Sequence, residues 1–232
     1  MQFARHNRLG DALGIVTGLE HYCRDNNVAS VAVTGSRALA EVVDVFACEQ
    51  VSYVATPSEA ISGDAIFARS SWSLPWLDRF NHAVADTFGG RARHQGSPLP
   101  LREEPTPGDQ ENVVYCQFDA RSSTPPPIHS IRRLLGQIAA HGEVRVLGGP
   151  DTKDYLGQDL VYMRAELPEM VARLLSCRLF VGCDSGLGHL AGCLGVPGLI
   201  VSTDDFETTW SFFRGYASLN VVPLAATDLL LP

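Results

Sequence analysis

Short apolar runs alternate with amphipathic stretches along most of this chain. In the first half, the β-branched runs Ser30–Thr34 and Val51–Ala55 predict strands, and Ala65–Ala68 predicts a weaker one. Apolar residues recur at helical spacing in Ser36–Phe46 and in Trp76–Phe88, which therefore predict amphipathic helices. Strands that alternate with helices at this spacing are typical of parallel βαβ units.

The beginning of the chain and the second half follow the same pattern. A short strand is expected at Gln2–Arg5, followed by a turn at Asn7–Asp11 and a helix from Ala12 to about Cys23. In the second half, predicted strands and helices alternate in this order: strand Asn112–Phe118, helix Ile128–Ala140, strand Glu143–Leu147, short strand Leu160–Met163, helix Leu167–Leu175, strands Leu179–Gly182 and Gly198–Ser202, helix Phe206–Phe213 and strand Leu219–Val222.

The composition changes between residues 89 and 110, where glycine and proline recur and no apolar period is present. Such a segment is typical of a linker or a long surface loop. We therefore expect two α/β domains, at residues 1–95 and 112–232, joined by a linker at 96–111. Ligands of such sheets bind beyond the carboxyl ends of the strands, so two facing domains would form a cleft.

Composition and charge exclude several classes of protein. The chain has 232 residues and a formal net charge of −8, which disfavours general binding to nucleic acid, although Arg121, Arg132 and Arg133 could form a local basic pocket.

The six cysteines form no C-x-x-C pair and several lie in apolar stretches, so we expect reduced, buried thiols and no bound metal. Residues 1–20 lack the pattern of a signal peptide, and no apolar run approaches about 18 residues, which predicts a cytoplasmic protein without a transmembrane segment.

The segment Cys183–Ala191 carries the strongest chemical signal, because a buried strand runs directly into a glycine-rich turn and a small-residue helix. Backbone N–H groups at such a helix start form an anion site. A structural interpretation is a tight turn with Asp184 or Ser185 as the helix N-cap. A second interpretation is a dinucleotide fingerprint, since Gly186–Ala191 fits G-x-G-x-x-A and Asp204 follows downstream. Two observations disfavour the dinucleotide fingerprint. The helix before Pro197 is too short for a standard crossover, and the roughly 45 residues after the turn are too few for the remaining strands of a dinucleotide-binding domain.

A third interpretation is a family resemblance. Residues Leu179–Val201 resemble the C-terminal signature of glycosyltransferase family 9, which includes the lipopolysaccharide heptosyltransferases. The matching positions are Asp184, Ser185, Gly186, His189, Leu190, Ala191, Leu194, Gly195 and Pro197. Val146–Asp151, Asp204–Trp210 and Arg8–Leu13 also resemble segments of this family.

The resemblance implies a compact GT-B fold, with two Rossmann-like domains whose parallel sheets face across a cleft. It implies inverting, metal-independent transfer of a sugar from a nucleotide-diphosphate sugar to an acceptor hydroxyl, without a cofactor. Asp11 matches the family's general base, although a helix N-cap is the alternative role for this residue. The expected donor-binding residues are Asp184, Ser185, Gly186, Gly188, His189, Arg121, Ser122 and Gly149.

Departures from the family pattern keep other functions open. The family places a lysine in the loop after the first strand of the second domain, where this chain has Ser123–Pro127, and Thr152 and Lys153 replace its usual acid. A non-catalytic module that binds a nucleotide or nucleotide sugar is therefore the main alternative, and an NAD-dependent dehydrogenase is the third. The acceptor is expected to be a lipid-linked or other glycan, and the protein a monomer or homodimer.

Overall fold

The computed structural model divides the chain into two compact units, residues 1–104 and 105–232, and each is described by itself. The described residues are 8–46, 48–55, 60–70, 74–92, 99, 101–102, 111–119, 126–140, 142–148, 152, 160–163, 165–203 and 205–225. The boundary between the units falls within the predicted linker 96–111. Most of that segment lies outside the described residues, so its assignment as a linker stays a prediction.

The first unit contains a small parallel sheet and four helices among its described residues. Its elements in chain order are α1 (Leu9–Asn26), β1 (Val31–Thr34), α2 (Arg37–Val45), β2 (Val51–Tyr53), β3 (Ile61–Ser62), α3 (Gly63–Arg69) and α4 (Trp76–Phe88). The strand order is β2-β1-β3, and both pairings are parallel. The expected βαβ pattern is therefore present in this half of the chain.

Two glycines allow α1 and α4 to pack closely. A Cβ atom at Gly14 would overlap the ring of Phe80, and one at Gly18 would lie 3.0 Å from the Phe80 carbonyl oxygen. Most residues of α1 are buried, including Leu13, Val16 and Leu19, so this helix forms the centre of the unit's core. The amphipathic α4 covers one side of it.

The predicted strand at Ala65–Ala68 is wrong, because these residues belong to α3. Asp64 in the first turn and Arg69 in the last turn are placed favourably with respect to the helix dipole, and of Ala65–Ala68 only Ile66 is buried. The strand of this region is the short β3, directly before α3. The predicted strand Gln2–Arg5 lies outside the described residues.

The second unit is a six-stranded parallel sheet with helices. Its elements are β4 (Glu111–Gln117), α5 (Ile128–Ala139), β5 (Glu143–Leu147), β6 (Val161–Met163), α6 (Leu167–Ser176), β7 (Cys177–Gly182), α7 (Gly186–Cys193), β8 (Gly198–Ser202), α8 (Phe206–Phe213) and β9 (Leu219–Pro223). The strand order is β6-β5-β4-β7-β8-β9, with every pair parallel. The predicted strands and helices of this half agree with these bounds to within one or two residues.

The core of the second unit follows from the helical period of α5. Ile131, Leu134, Leu135 and Ile138 recur at i, i+3, i+4 and i+7 and pack against a cluster that includes Cys116 and Cys183. All six cysteines are described and buried as thiols without disulfides, which confirms the expectation of reduced, buried thiols. Burial raises the pKa of Cys177 to about 11 and that of Cys183 to about 12, so both remain protonated at neutral pH.

None of the helices among the described residues is both long and apolar enough to cross a membrane.

Candidate functional site

The strand order of the second sheet reverses between β4 and β7, and in open parallel sheets a crevice lies at the carboxyl ends of the strands at such a point. The chain proceeds from β4 to β5 and β6 on one side of the sheet, and later from β7 to β8 and β9 on the other. Gln117 pairs with Gly182 at this point, and the Cys183 amide donates a hydrogen bond to the Gln117 carbonyl oxygen at 3.2 Å. Ligands of open parallel sheets bind where the strand order reverses in this way.

Close packing explains the glycine at the end of β7. A Cβ atom at Gly182 would lie 2.8 Å from the Gln117 carbonyl oxygen and 2.8 Å from the Phe180 ring. Only glycine therefore allows β4 and β7 to remain paired up to the point where the chain turns into α7.

Ser185 is the N-cap of α7. Its side-chain oxygen accepts a hydrogen bond from the Gly188 amide at 3.1 Å, and its backbone is extended before the helix begins at Gly186. Of the two capping residues that the sequence left open, the structure places Ser185 at the cap. Asp184 precedes the cap, and its side chain is 17% exposed.

His189 is buried in the first turns of α7 and is held from three sides. Its ring stacks on Phe213 with a centroid distance of 4.5 Å and an interplanar angle of 8°. Its Nδ1 atom lies 3.2 Å from the hydroxyl of Tyr216, and its Nε2 atom lies 3.8 Å from Oδ1 of Asp184. The imidazole is therefore fixed in position, with Nε2 directed toward the turn that begins the helix.

Two glycines of the motif have packing roles. A Cβ atom at Gly188 would lie 3.1 Å from the Phe213 ring and 3.2 Å from Ile200, and one at Gly192 would lie 2.5 Å from the Tyr216 ring. Gly188, a predicted donor-binding residue, is buried against these apolar side chains. Its amide donates a hydrogen bond to the Ser185 hydroxyl oxygen, so Gly188 stabilises the turn at the start of α7.

A second carboxylate lies at the same sheet edge. Asp119 follows β4 and accepts a hydrogen bond from the Thr152 hydroxyl at 3.0 Å. Asp184 and Asp119 both contribute to the raised pKa of Cys183, after the larger effect of burial, so both carboxylates lie near this thiol. Carboxylates in such a crevice can accept hydrogen bonds from sugar hydroxyls. Among the described residues, no group of three His, Cys, Asp or Glu side chains is arranged to hold a metal ion.

Sequence analysis missed Asp119, although its position directly after a predicted buried strand was a usable signal. Arg121, Ser122 and Gly149, which were predicted to bind the donor, lie outside the described residues, as does Asp204. Gly186 is the first residue of α7. Of the eight expected donor-binding residues, the structure therefore brings together Asp184, Ser185, Gly186, Gly188 and His189.

Asp11 lies in the first unit, as the third residue of α1. The N-cap position belongs to Arg8, so the alternative of Asp11 as an N-cap is wrong. Oδ1 of Asp11 lies 3.5 Å from Nη2 of Arg79, and the two side chains are 14% and 1% exposed, respectively. The Arg79 guanidinium also lies over the rings of Phe80, at 4.7 Å, and Phe67, at 5.9 Å.

Arg79 was not among the predicted site residues. It lies 68 residues from Asp11 along the chain, on a helix whose other buried residues are mostly apolar. An arginine within the apolar stripe Trp76, Leu77, Phe80, Ala83 and Val84 of α4 was the available signal. A buried guanidinium requires a compensating partner. The Asp11 carboxylate and the Arg79 guanidinium each favour the charged form of the other.

A family model matches part of the second unit. The family model of glycosyltransferase family 9 (heptosyltransferase) matches residues 134–213, about a third of the chain, and this range includes the Asp184–His189 turn. A search of curated proteins finds no match.

Solved structures share the fold over nearly the whole chain. The E. coli heptosyltransferase WaaC with ADP aligns with a TM-score of 0.70 and 14% identity, covering 96% of this chain and 95% of that one. A family 9 glycosyltransferase from Veillonella parvula aligns with a TM-score of 0.67 and 11% identity, covering 95% and 85%. The iron-containing dodecameric glycosyltransferase TibC of E. coli aligns with a TM-score of 0.63 and 14% identity, covering 84% and 55%.

At these identities the structural likeness shows the fold, an α/β fold with parallel sheets that matches GT-B glycosyltransferases. The family model matches the segment that carries the candidate site. The predicted resemblance is therefore confirmed: residues 134–213 match the model of glycosyltransferase family 9, and the chain has the fold of the solved heptosyltransferase WaaC.

Proposed function

We propose that this protein is a glycosyltransferase that moves a sugar from a nucleotide-diphosphate sugar to an acceptor hydroxyl, with inversion at the anomeric carbon. The observation that carries the proposal is the cluster of Asp184, Ser185 and His189 at the crevice of the second sheet, within the segment that matches the family. This cluster combines a hydrogen-bond acceptor, a helix N-terminus and a fixed imidazole.

The second unit would bind the donor. In the proposed complex, the Asp184 carboxylate accepts hydrogen bonds from hydroxyls of the donor. The diphosphate lies near the start of α7, where backbone N–H groups and the His189 imidazole stabilise the negative charge that develops on the leaving group. Arg121 and Ser122 would contribute further contacts to the diphosphate.

Asp11 would act as the general base. An alcohol is a poor nucleophile at neutral pH, and a positioned carboxylate that removes its proton as the new bond forms makes attack feasible. The acceptor oxygen bonds to the anomeric carbon while the bond from that carbon to the diphosphate breaks, so a single displacement inverts the configuration. The Arg79 guanidinium, 3.5 Å from Asp11, keeps the carboxylate ionised and therefore able to accept a proton, and it lowers the basicity of that carboxylate at the same time.

The first donors to test are ADP-sugars, because the structure of WaaC that this chain resembles is described with ADP. Metal independence is part of the proposal and follows from the family resemblance. It needs its own measurement, since TibC is described as iron-containing. Sugar transfer that continues at an unchanged rate with a chelator present would support it. A rate restored only by added metal would contradict it.

A thermal-shift screen with ADP, other nucleoside diphosphates and their sugar conjugates tests donor binding. A ligand that binds the folded state raises the melting temperature by mass action. We expect a shift with one nucleoside diphosphate, which His189→Gln reduces and His82→Gln does not. His82 lies on an exposed face of α4, so its replacement is a matched control. An equal shift in both variants would contradict the proposed donor site.

The main alternative is a non-catalytic module that binds the same nucleotide. It is favoured by Ser123–Pro127, where the lysine of the family pattern is missing, and disfavoured by the presence of Asp11. Release of free nucleoside diphosphate from the sugar donor separates the two functions, since a module that only binds releases none. An NAD-dependent dehydrogenase is the third candidate, and a change in NADH fluorescence on mixing would favour it.

The acceptor, the assembly and the location of the protein remain predictions. We propose a lipid-linked or other glycan as acceptor, a monomer or homodimer, and a cytoplasmic location. Light scattering coupled to size-exclusion chromatography measures the assembly directly.

A further inference from the structure

Tyr216 packs against His189 because Gly192 of α7 has no side chain and leaves room for the tyrosine ring. It follows α8 and is buried, and its amide donates a hydrogen bond to the Phe213 carbonyl oxygen at 3.0 Å. Its ring occupies the space that a side chain at Gly192 would fill. In this position its hydroxyl lies 3.2 Å from Nδ1 of His189 and 3.8 Å from Sγ of Cys193.

The direction of these hydrogen bonds determines which nitrogen of His189 carries the proton. If the Tyr216 hydroxyl donates to Nδ1, the Cys193 thiol can donate to the Tyr216 oxygen, and the imidazole proton is on Nε2. If Nδ1–H donates instead, the lone pair of Nε2 points toward Oδ1 of Asp184, 3.8 Å away, and the two acceptors repel each other. When the Tyr216 hydroxyl donates to Nδ1, by contrast, the Nε2–H donor of His189 faces the Asp184 carboxylate.

The surroundings of the ring also favour a neutral imidazole. His189 is buried, with one face stacked on Phe213, and this burial opposes the charged form that the Asp184 carboxylate, 3.8 Å away, would favour. Burial, followed by the nearby Cys193, raises the pKa of the Tyr216 hydroxyl well above its usual value, so this hydroxyl keeps its proton. Tyr216 is therefore available as a donor at neutral pH.

We propose that Tyr216 is a positioning residue that holds His189 neutral with its proton on Nε2. The functional consequence rests on the proposed function: Nε2–H then acts as an uncharged hydrogen-bond donor to an oxygen of the sugar donor's diphosphate. Tyr216 contacts His189 directly, and its effect on the reaction would pass through the imidazole.

The tautomer can be measured by NMR on the full chain labelled with nitrogen-15, because the chemical shifts of the two ring nitrogens distinguish both neutral forms from the imidazolium. The chain has seven histidines, and the signals lost in His189→Gln assign this one. We expect the wild type to carry its proton on Nε2 at neutral pH. A proton on Nδ1, or on both nitrogens, would overturn the proposal.

Tyr216→Phe tests the positioning role. It keeps the ring that packs against Gly192 and removes only the hydroxyl, so the expected result is a mixture of protonation states at His189. Tyr53→Phe is the matched control, because Tyr53 is in the first unit and its hydroxyl donates to the Gly35 carbonyl oxygen. Unchanged nitrogen shifts of His189 in a folded Tyr216→Phe variant would show that Tyr216 does not set the tautomer.

Titration with ADP connects this arrangement to donor binding. Loss of one well-placed hydrogen bond should weaken ADP binding by about tenfold in Tyr216→Phe and leave Tyr53→Phe unchanged. Equal affinity in Tyr216→Phe and wild type would overturn the functional consequence of the positioning. If the wild type binds no nucleoside diphosphate, the proposed function fails, while the NMR result still decides the tautomer of His189.

Discussion

The surroundings of Asp11 and of His189 solve the same physical problem in different ways. Each region buries a polar side chain among aromatic rings: Arg79 lies over Phe80 and Phe67, and His189 is stacked on Phe213. In the first unit the buried group is a permanent cation that faces a carboxylate. In the second unit the buried group is an imidazole that contacts the Tyr216 hydroxyl and, at a greater distance, the Asp184 carboxylate.

This difference matches the tasks proposed for the two regions. A general base must remain ionised until it accepts a proton, and an adjacent guanidinium stabilises that state. A group that binds a diphosphate needs a hydrogen atom in a fixed direction, and a neutral N–H provides it at a smaller cost of burial than a charge. The charged region should therefore be the more sensitive of the two to the loss of one partner.

The largest expected effect on stability is from Asp11→Ala. It leaves the Arg79 guanidinium, which is 1% exposed, without its nearby carboxylate, and breaking a buried ion pair in this way costs about 3–5 kcal/mol. Asp184→Ala should cost less than about 1 kcal/mol, because its partner at 3.8 Å is the imidazole that we propose to be neutral, so its removal leaves no unpaired charge buried. Denaturant unfolding of both variants measures the difference, and equal losses would remove the distinction between the two regions.

An intermediate effect is expected from Gly192→Ala in α7. The added methyl group would overlap the Tyr216 ring, and overpacking of this kind costs about 1–3 kcal/mol. Gly136→Ala is a matched control in α5, where a Cβ atom meets nothing within 4 Å, so it should stabilise the protein by about 0.4–1 kcal/mol. Melting temperatures that shift in the same direction for both variants would contradict the packing role of Gly192.

The smallest expected effect separates the two serine caps. Ser185 accepts a hydrogen bond from the Gly188 amide at 3.1 Å in a buried turn, and Ser36 accepts one from the Leu39 amide at 3.2 Å at a partly exposed helix start. Alanine at a cap costs about 1 kcal/mol. We expect the larger loss at Ser185, since water cannot replace the missing acceptor there. A larger loss from Ser36→Ala in the same unfolding measurement would argue against a buried turn.

The region around His189 was predictable from sequence because it is contiguous. Strand β7, the glycine turn and α7 follow one another along the chain, and the apolar run, the glycines and the histidine all appear in order. Helix α5 was likewise predicted to within one residue, and its buried residues follow the helical period. Local signals of this kind specify the element, the turn and most of the side chains that form the crevice.

Contacts between distant segments could not be predicted in the same way. Tyr216 reaches His189 only because Gly192 leaves room for its ring, and Arg79 reaches Asp11 only because Gly14 and Gly18 let α4 approach α1. The short α3 was mistaken for a strand because a run of four apolar residues does not distinguish the two periods. The contacts of Tyr216 with His189 and of Arg79 with Asp11 depend on how distant helices pack, so the local sequence pattern did not predict them.

The central claim, glycosyl transfer with Asp11 as the general base, is tested most directly by release of ADP from an ADP-sugar in the presence of acceptor, comparing wild type with Asp11→Asn. We expect the variant to lose about 10²–10⁴-fold in turnover, the usual contribution of a general base, while its ADP-induced thermal shift remains that of the wild type. Turnover equal to that of the wild type, in a variant that is folded and binds ADP, would contradict the account.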